Sequence, residues 1–437
     1  MTEAYVKDFE VFAANGGSGG PAWLPARRRQ AIEQFAAAGF PTSRNEDWKF
    51  TSVAPIAQRA FHRPGRSAAG PDGERLAEFV FGEAGWCELV FVNGRLVPAA
   101  SRTATLPRGV RVASLAEALE TDPGLLERHL GRQASHEARA FTALNTAFLL
   151  DGALVEVAAG AVVPVPIHLV FLSDGRDGTV VSYPRNLILT GAGAQVTVIE
   201  SYGSTHDGVY FTNAVTEIAV GENAGVEHIK IQRESEQAYH VGTVEARLGR
   251  HARFRSFSFA VGGALSRTNI YSVMEAEGAD CVLNGLYMVN GHQHVDHQTR
   301  IEHAAPNCTS REVYKGILDG QSHGVFNGKV YVRPEAQKTD GKQTNKNLLL
   351  SEGARVDTKP QLEIFADDVK CTHGATVGRL DDLALFYLRS RGVTPALARK
   401  ILTYGFATDV LSEMGHQAVR ARLERHVFQR LKGGEAV

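Results

Sequence analysis

The sequence is poor in cysteine, and its four cysteines are too far apart to form a compact metal or disulfide motif. None of Cys87, Cys281, Cys308 and Cys371 belongs to a Cys-x-x-Cys pair. This spacing excludes the disulfide framework of a small secreted domain, so we expect reduced thiols. A basic leader with an apolar core is also missing, as is any apolar run near the roughly 20 residues that span a bilayer. The sequence therefore predicts a soluble, cytoplasmic protein.

The chain also lacks a strong excess of charge of either sign. Lysine and arginine number 47 against 48 aspartates and glutamates, which leaves a formal net charge of -1. A dedicated nucleic-acid binder usually has a basic excess, so that class is disfavoured. The pattern GxSxG occurs at 16–20 and at 320–324, but neither match joins a predicted strand to a predicted helix, as a nucleophile elbow does. There is no Walker A or HExxH motif and no glycine-rich dinucleotide fingerprint opening a helix. No catalytic constellation is convincing, and we expect that the chain does not itself hydrolyse nucleotides.

Three zones of different sequence character follow one another. Residues 1–150 combine predicted helices at 26–38 and 134–150 with a predicted hairpin that turns at Asn93 and Gly94. Residues 151–378 lose the helical period and show short alternating apolar runs between turn residues. Residues 379–437 return to helical patterns. We predict an N-terminal mixed or helical domain, a β core and a C-terminal helical domain with these boundaries.

A recurrent alanine is the main pattern of the second zone. An alanine at a turn, followed two residues later by an apolar residue, occurs at Ala161, Ala194, Ala224, Ala252, Ala279 and Ala354. The steps are 33, 30, 28, 27 and 75 residues, and 75 equals three steps of 25. A small residue at each turn is typical of a solenoid, in which neighbouring backbones must approach closely. A β-sandwich also has short strands, but it does not need this near-constant spacing, so the pattern favours a β-helix.

Helix caps and glycines mark the third zone. A first helix is predicted from about 380 to 391, with acidic residues in its first turn and basic residues in its last. Thr394 and Pro395 are typical of the N-cap and first residue of a second helix, which we expect to reach about 404. A third helix, at 417–431, has an apolar side and an arginine-rich side. We expect the apolar side to pack and the arginines to meet water or an acidic partner.

The densest group of candidate metal ligands is a histidine-rich run that contains His292, His294, His297 and His303. In an extended strand, His292 and His294 would share one face, which is a spacing compatible with a metal site. His297 would lie on the opposite face. Structural or surface histidines explain such a run better, although a metal site and a transient functional role stay open at this point.

Cys371 and His373 form a second candidate pair. They are two residues apart, so both side chains would project from one face of a strand. A thiolate and an imidazole there could share a soft or borderline metal ion. Two ligands are too few for a stable iron–sulfur cluster, which normally has four, so a complete site needs ligands from another chain. A structural role for both residues is the competing interpretation.

Several long motifs resemble the SufB/SufD family of iron–sulfur cluster assembly proteins. They are YKGIL (314–318), VFNGKVYV (325–332), AQKTD (336–340), NLLLS (347–351), LEIFADDVKCTHGATVG (362–378) and FYLRSRG (386–392). The segment GFPTSRNEDWKFT (39–51) is similar to the family's first helical region. Gly374 stands where SufB-like chains tend to have glutamate, and Val356 lies where they tend to have a cysteine. Both departures favour the SufD branch of the family.

The resemblance implies a right-handed parallel β-helix with helical domains at both ends, acting as a scaffold. It implies pairing with a SufB-like sister through the β-helix and docking of a SufC-like ABC ATPase on the C-terminal helices. Cys371 and His373 would lie at the interface between the sisters and give ligands to a transient iron–sulfur cluster, with His373 the better candidate. Cys87, Cys281 and Cys308 are expected to be buried. A reduced flavin fits the family, but no residue pattern here predicts one.

Two other functions compete with the cluster scaffold. A purely architectural subunit would position the ATPase and the sister without supplying cluster ligands. A polysaccharide-active enzyme is the alternative from another class, because many β-helices act on sugar polymers. Such an enzyme needs carboxylates grouped along one face, and late in the second zone only Asp367 and Asp368 are adjacent. An exposed β-helix edge would also allow the chain to pair with itself when the sister is missing.

Overall fold

The computed structural model describes residues 2–17, 19–64, 73–103, 105–137, 139–175 and 178–433. Ten α-helices lie in these ranges, most of them near the two ends of the chain. They are α1 Thr2–Phe12, α2 Trp23–Ala38, α3 Ala54–Ala57, α4 Gly73–Ala77, α5 Leu115–Thr121, α6 Pro123–His129, α7 Ala140–Ala147, α8 Asp382–Ser390, α9 Pro395–Leu411 and α10 Gln417–Gly433. A π-helical turn (Ala13–Gly17) and 3-10 turns (Glu46–Trp48, Pro98–Ala100) accompany them.

The strands occupy the middle of the chain. They are β1 Cys87–Val92, β2 Arg95–Leu96, β3 Val110–Ser114, β4 Ala153–Val157, β5 Ile167–Ser173, β6 Val181–Ser182, β7 Arg185–Thr190, β8 Gln195–Ser204, β9 Phe211–Val220, β10 Gly225–Gln232, β11 Tyr239–Leu248, β12 Arg253–Ala260, β13 Leu265–Met274, β14 Asp280–Val289, β15 His294–His303, β16 Thr309–Leu318, β17 His323–Val332, β18 Thr339–Leu349, β19 Arg355–Ile364 and β20 Val369–Gly378.

These strands form two facing sheets that the chain enters alternately. The first sheet has the order β2-β1-β5-β8-β10-β12-β14-β16-β18-β20, and the second runs from β19 through the odd-numbered strands to β7, β4 and β3. Neighbouring strands are parallel except for the β1–β2 hairpin and the β3–β4 pair. The result is a solenoid of about eight turns, so the predicted β-helix core with helices at both ends is confirmed.

The alanine repeat marks the same point in successive turns of the first sheet. The backbone N–H groups of Gln195, Gly225, Arg253, Asp280 and Thr309 donate to the carbonyls of Ala161, Ala194, Ala224, Ala252 and Ala279, each one turn earlier. The prediction for Ala354 is wrong, because Arg355 after it bonds to the Ser322 carbonyl in the second sheet. The first-sheet column continues instead through Cys308, whose carbonyl accepts the N–H of Asp340. At this turn the small side chain of Cys308 takes the place of alanine.

Aromatic side chains and the guanidinium of Arg267 hold the N-terminal helices on the outer face of the second sheet. Phe35 of α2 and Phe141 of α7 belong to the same buried cluster as Phe211 of β9. The guanidinium of Arg267 on β13 lies 3.6 Å from the centre of the Trp48 ring. It also donates to the Asp47 carbonyl (2.7 Å). The family-like segment at 39–51 therefore fastens the N-terminal helices to the solenoid.

A buried ion pair makes a second connection between these parts. Arg185 of β7 donates from Nε (3.0 Å) and Nη2 (2.6 Å) to Oε1 of Glu217 on β9. Glu217 also accepts the backbone N–H groups of residues 131, 133 and 134, in the loop after α6. Both side chains of the pair are inaccessible to solvent. One carboxylate thus joins two turns of the solenoid to the loop after α6.

The N-cap predicted at Thr394 is confirmed, because its side chain accepts a backbone N–H group of the first turn of α9. Asp381 was expected inside the first turn of the preceding helix, but it is the N-cap of α8 and accepts the backbone N–H of Leu383. Helix α9 extends to Leu411, well past the expected end at 404. It is fixed to the solenoid by Lys315 of β16, which donates to the Phe406 carbonyl (3.0 Å) and pairs with Asp409.

The expectation for the arginine-rich side of α10 is only partly right. Arg422 donates to the carbonyls of Val80 (2.6 Å) and Glu78 (2.8 Å), and Arg430 pairs with Glu236. These two arginines are therefore used within the chain. None of the described helices combines the length and apolar character that a membrane crossing requires.

Candidate functional site

Cys371 and His373 lie on β20, the outermost strand of the first sheet. In the β18–β20 register, Cys371 is opposite Gly341 and His373 is opposite Gln343. Gln343 is buried in the interior of the solenoid, whereas the adjacent Lys342 is exposed. Because side chains alternate along a strand, Cys371 and His373 both project from the interior-facing side of the last turn. The prediction that they share one face of a strand is confirmed.

The two side chains differ in their surroundings. Cys371 is half-buried and packs with Leu362 and Val369 against a small apolar cluster that includes Val330 and Ala366. Burial raises the pKa of its thiol above the usual value. His373 is exposed. Because the His373 imidazole is exposed and the Cys371 thiol is only half-buried, a metal-bearing group can approach both from outside the solenoid.

The last turn of the solenoid is open toward solvent. Strands β19 and β20 are the end strands of their sheets, and within the described residues each pairs with one neighbour only. Neither strand contains a buried residue. Such an edge presents backbone N–H and C=O groups that another chain can pair with. The Cys371–His373 pair therefore lies on a surface suited to contact with a second protein.

The described part of this chain does not provide a complete metal site. No group of three or more histidine, cysteine, aspartate or glutamate side chains is arranged to hold an ion within it. Cys371 and His373 thus offer two ligands, of the soft and borderline types that suit iron. A cluster with four ligands would need others from outside the described chain.

The histidine-rich run is divided between the two sides of β15. His292 is exposed in the turn before the strand, so the prediction that it shares a strand face with His294 is wrong. His294 lies on the outer side, its ring 4.7 Å from that of His323 and its Nε2 2.9 Å from the Thr51 hydroxyl. Burial lowers the pKa of His294 to about 4.

His297 lies on the interior side, opposite to His294 as expected, and His303 lies on the same interior side. The His297 ring stacks on Tyr287 at 5.2 Å, and His303 Nε2 is 2.9 Å from the Ser310 hydroxyl. Burial lowers the pKa of His297 to about 3 and that of His303 to about 4. Both are therefore neutral core side chains at pH 7. The structural interpretation of the run agrees with this geometry.

The other three cysteines are buried, as predicted. Cys87 is 1% exposed, and Cys281 and Cys308 are 0% exposed. Burial raises the pKa of Cys281 to about 12 and also raises that of Cys308. These thiols belong to the apolar interior, and Cys281 and Cys308 lie in its main cluster.

We expect one thiol of the folded chain to react with a disulfide reagent such as DTNB. Cys371 alone combines solvent access with a position outside the main core, and only its thiolate reacts, so its rate should rise with pH above the ordinary thiol range. The measurement is the thiol count before and after denaturation. Four thiols should react in denaturant, and Cys371→Ser should remove the native reaction. A second native thiol, or a reaction that survives in Cys371→Ser, would contradict this assignment.

One surface was not recognised from the sequence. Helix α8 contains no buried residue, and its Leu383, Phe386 and Tyr387 are 78%, 68% and 58% exposed. They are spaced i, i+3 and i+4, so they lie on one face of the helix. Leu397 and Ile401 of α9 are also exposed. Apolar residues grouped in this way mark an interaction surface. The same spacing in the sequence is typical of a face that packs within its own chain, which is why it was missed.

The chain matches two family models that together span most of its length. The model described as SUF system FeS cluster assembly, SufBD core domain, covers residues 171–406, and that of the SufBD protein N-terminal region covers residues 1–169. An iron–sulfur cluster assembly SufBD family protein of Synechocystis is 34% identical, over 92% of this chain and 90% of its own. The iron–sulfur cluster assembly protein SufD of Escherichia coli is 33% identical, over 97% of this chain and 96% of its own. SufD of Bacillus subtilis is 26% identical over 94% and 95%.

Proposed function

Because this chain belongs to the SufBD family of iron–sulfur cluster assembly proteins, we propose that it is a cytoplasmic scaffold subunit for cluster assembly and has no catalytic turnover of its own. In this role it pairs with a SufB-like sister and docks a SufC-like ABC ATPase. The observation that carries the proposal is the position of Cys371 and His373, two metal ligands on the open last turn of the solenoid. A ligand pair placed at a sheet edge is incomplete alone and becomes complete when a second chain covers the edge.

The pairing surface is the edge formed by β19 and β20. It supplies unpaired backbone groups and exposed side chains over two strands of ten residues each. A sister chain with the same fold can continue the sheets by adding its own strands to this edge. In the absence of the sister, a second copy of this chain can use the same edge. Pairing through β20 places the partner's residues within reach of Cys371 and His373.

The ATPase surface is the apolar face of α8 and the first half of α9. Its exposed residues are Leu383, Phe386, Tyr387, Leu397 and Ile401. A helix that presents apolar residues at i, i+3 and i+4 is suited to a hydrophobic groove on a partner. The second half of α9 is fixed to the solenoid through Lys315 and Asp409. A movement of the docked ATPase can therefore reach β16, two strands from β20 in the first sheet.

His373 is the proposed principal ligand, with Cys371 beside it. The imidazole is exposed and free to orient toward a cluster held between the sisters, whereas the thiol is partly covered. The sister is expected to supply the remaining ligands. The cluster is the cargo of this site and leaves when assembly is complete.

The three-component complex consists of this chain, the SufB-like sister and the SufC-like ATPase. We expect His373→Ala to lower the rate of cluster assembly by this complex at least about tenfold, because one of few cluster ligands is lost. The rate is followed by visible absorbance under anaerobic conditions. His292→Ala is the matched control, since His292 is also exposed but lies in the turn before β15. Complex formation by size exclusion must be unchanged in both variants. An unchanged assembly rate in His373→Ala would favour the purely architectural subunit.

A further inference from the structure

Glu312 of β16 differs from several other buried carboxylates of this chain, which have a cationic or imidazole partner. Glu217 pairs with Arg185, Asp296 pairs with Arg267 at 2.7 Å, and Glu234 lies 2.8 Å from Nδ1 of His240. Glu312 is only 1% exposed, yet within the described residues no cationic side chain forms an ion pair with it. A buried carboxylate without a partner is costly, so its surroundings need an explanation.

Uncharged oxygen-bearing side chains surround Glu312 instead. Gln343 of β18 donates from Nε2 to one carboxylate oxygen at 2.7 Å. The Thr299 hydroxyl, across the interior on β15, lies close enough to affect the carboxyl group. Burial raises the pKa of Glu312 to about 7, against the lowering effect of these two neighbours. The amide of Gln343 is held in place because it occupies the space beside Gly328 that a side chain would fill.

Three buried oxygen atoms at this point have no partner at normal hydrogen-bond distance and angle among the described residues. They are Oε1 of Glu312, Oε1 of Gln343 and Oγ1 of Thr299, each with less than 1 Å² of accessible surface. Two of the three can only accept when Glu312 is ionised. Buried oxygen atoms that share one interior location, and whose hydrogen-bonding capacity is not fully used there, are an arrangement that a cation satisfies. Carboxylate, amide and hydroxyl oxygens are the ligands of hard and borderline divalent ions.

We propose that Glu312, Gln343 and Thr299 bind one divalent cation of the size of Mg²⁺, Mn²⁺ or Fe²⁺ inside the solenoid. The register aligns this site with His373, since Glu312 is opposite Gln343 and Gln343 is opposite His373. Two strand spacings of about 4.8 Å separate the strand of Glu312 from that of His373. The cation would therefore lie in the solenoid interior, two strands from the open end at β20.

A link between this cation and cluster assembly rests on the function proposed above, whereas the binding site itself does not. If the scaffold function holds, a cation bound here is available to the Cys371–His373 pair through the last turn. Binding is measured on the chain alone, without partners or a cluster. Its failure can therefore be told apart from a failure of the scaffold proposal.

The test is a titration of the metal-free, full-length chain with Mn²⁺, in which electron paramagnetic resonance reports the free ion. We expect one bound Mn²⁺ per chain, and at least about tenfold weaker binding in Glu312→Gln and in Gln343→Met. Gln232→Met is the matched control, because Gln232 also donates to a buried glutamate, Glu234, at 2.9 Å. It removes the same kind of bond four strands away from β18 in the first sheet.

The melting temperature of each variant shows whether the fold is kept. If Glu312→Gln does not fold, Gln343→Met and Thr299→Val test the same site. Equal Mn²⁺ binding by the wild type and the site variants, or no binding up to about 1 mM, overturns the proposal. Mn²⁺ that stays bound against millimolar Mg²⁺ supports a link to iron. Its displacement by Mg²⁺ contradicts that link and supports a magnesium site.

Discussion

Replacing Glu217 with alanine is expected to lower the free energy of unfolding by about 3–5 kcal/mol, a large part of a typical total of about 5–15 kcal/mol. The variant leaves the guanidinium of Arg185 buried without its carboxylate. It also removes the acceptor of three backbone N–H groups, at residues 131, 133 and 134. Since both side chains are fully buried, water cannot replace the lost bonds without opening the structure.

Urea unfolding followed by circular dichroism measures this effect. Glu275→Ala is the matched control, because Glu275 also pairs with an arginine, Arg247, but both side chains are more than 40% exposed. An exposed pair contributes about 0–1 kcal/mol, so the control should unfold near the wild-type midpoint. Similar midpoints for the two variants would show that the Arg185–Glu217 pair does not hold the N-terminal region to the solenoid.

Replacing both Leu383 and Phe386 with aspartate is expected to weaken ATPase docking at least about 100-fold, or about 3 kcal/mol. The two side chains are the most exposed large apolar residues of the described chain, at 78% and 68%. Burying a carboxylate in an apolar interface adds a desolvation penalty to the lost contacts. Because α8 has no buried residue, the double variant should keep the stability of the wild type.

Docking is measured as the dissociation constant of this chain for the purified SufC-like ATPase. Val162→Asp serves as the control, since Val162 is an apolar residue that is 57% exposed in the first turns of the solenoid. We expect the control to bind like the wild type. Unchanged affinity of the double variant would remove α8 from the docking surface and assign the ATPase to another part of the chain.

The β core could be predicted from the sequence because its structure depends on local repetition. A small residue recurs wherever two backbones approach, and this requirement is visible in Ala194, Ala224, Ala252 and Ala279. The hairpin turn was visible for a similar reason, since Asn93 and Gly94 both adopt positive φ values of 51° and 76°. The pattern became misleading where Cys308 took the place of alanine and Ala354 occurred in the other sheet.

Contacts between distant parts of the chain could not be predicted in this way. The spacing of Cys371 and His373 indicated a shared strand face, but it could not show that their strand is the open end of the first sheet. Which buried carboxylate has a cationic partner depends on neighbours one or more turns away, as Glu217 and Glu312 show. The helical prediction at 134–150 was too long, because α7 begins only at Ala140.

The central claim is that His373 binds a cluster between this chain and its sister. The most direct measurement is pulsed electron paramagnetic resonance of the anaerobic three-component complex, with the cluster reduced to a paramagnetic state. Only this chain carries ¹⁵N-histidine. The account predicts a ¹⁵N coupling to the cluster that is present in the wild type and in His292→Ala but lost in His373→Ala. A cluster without ¹⁵N coupling, or a coupling that survives in His373→Ala, would contradict the claim.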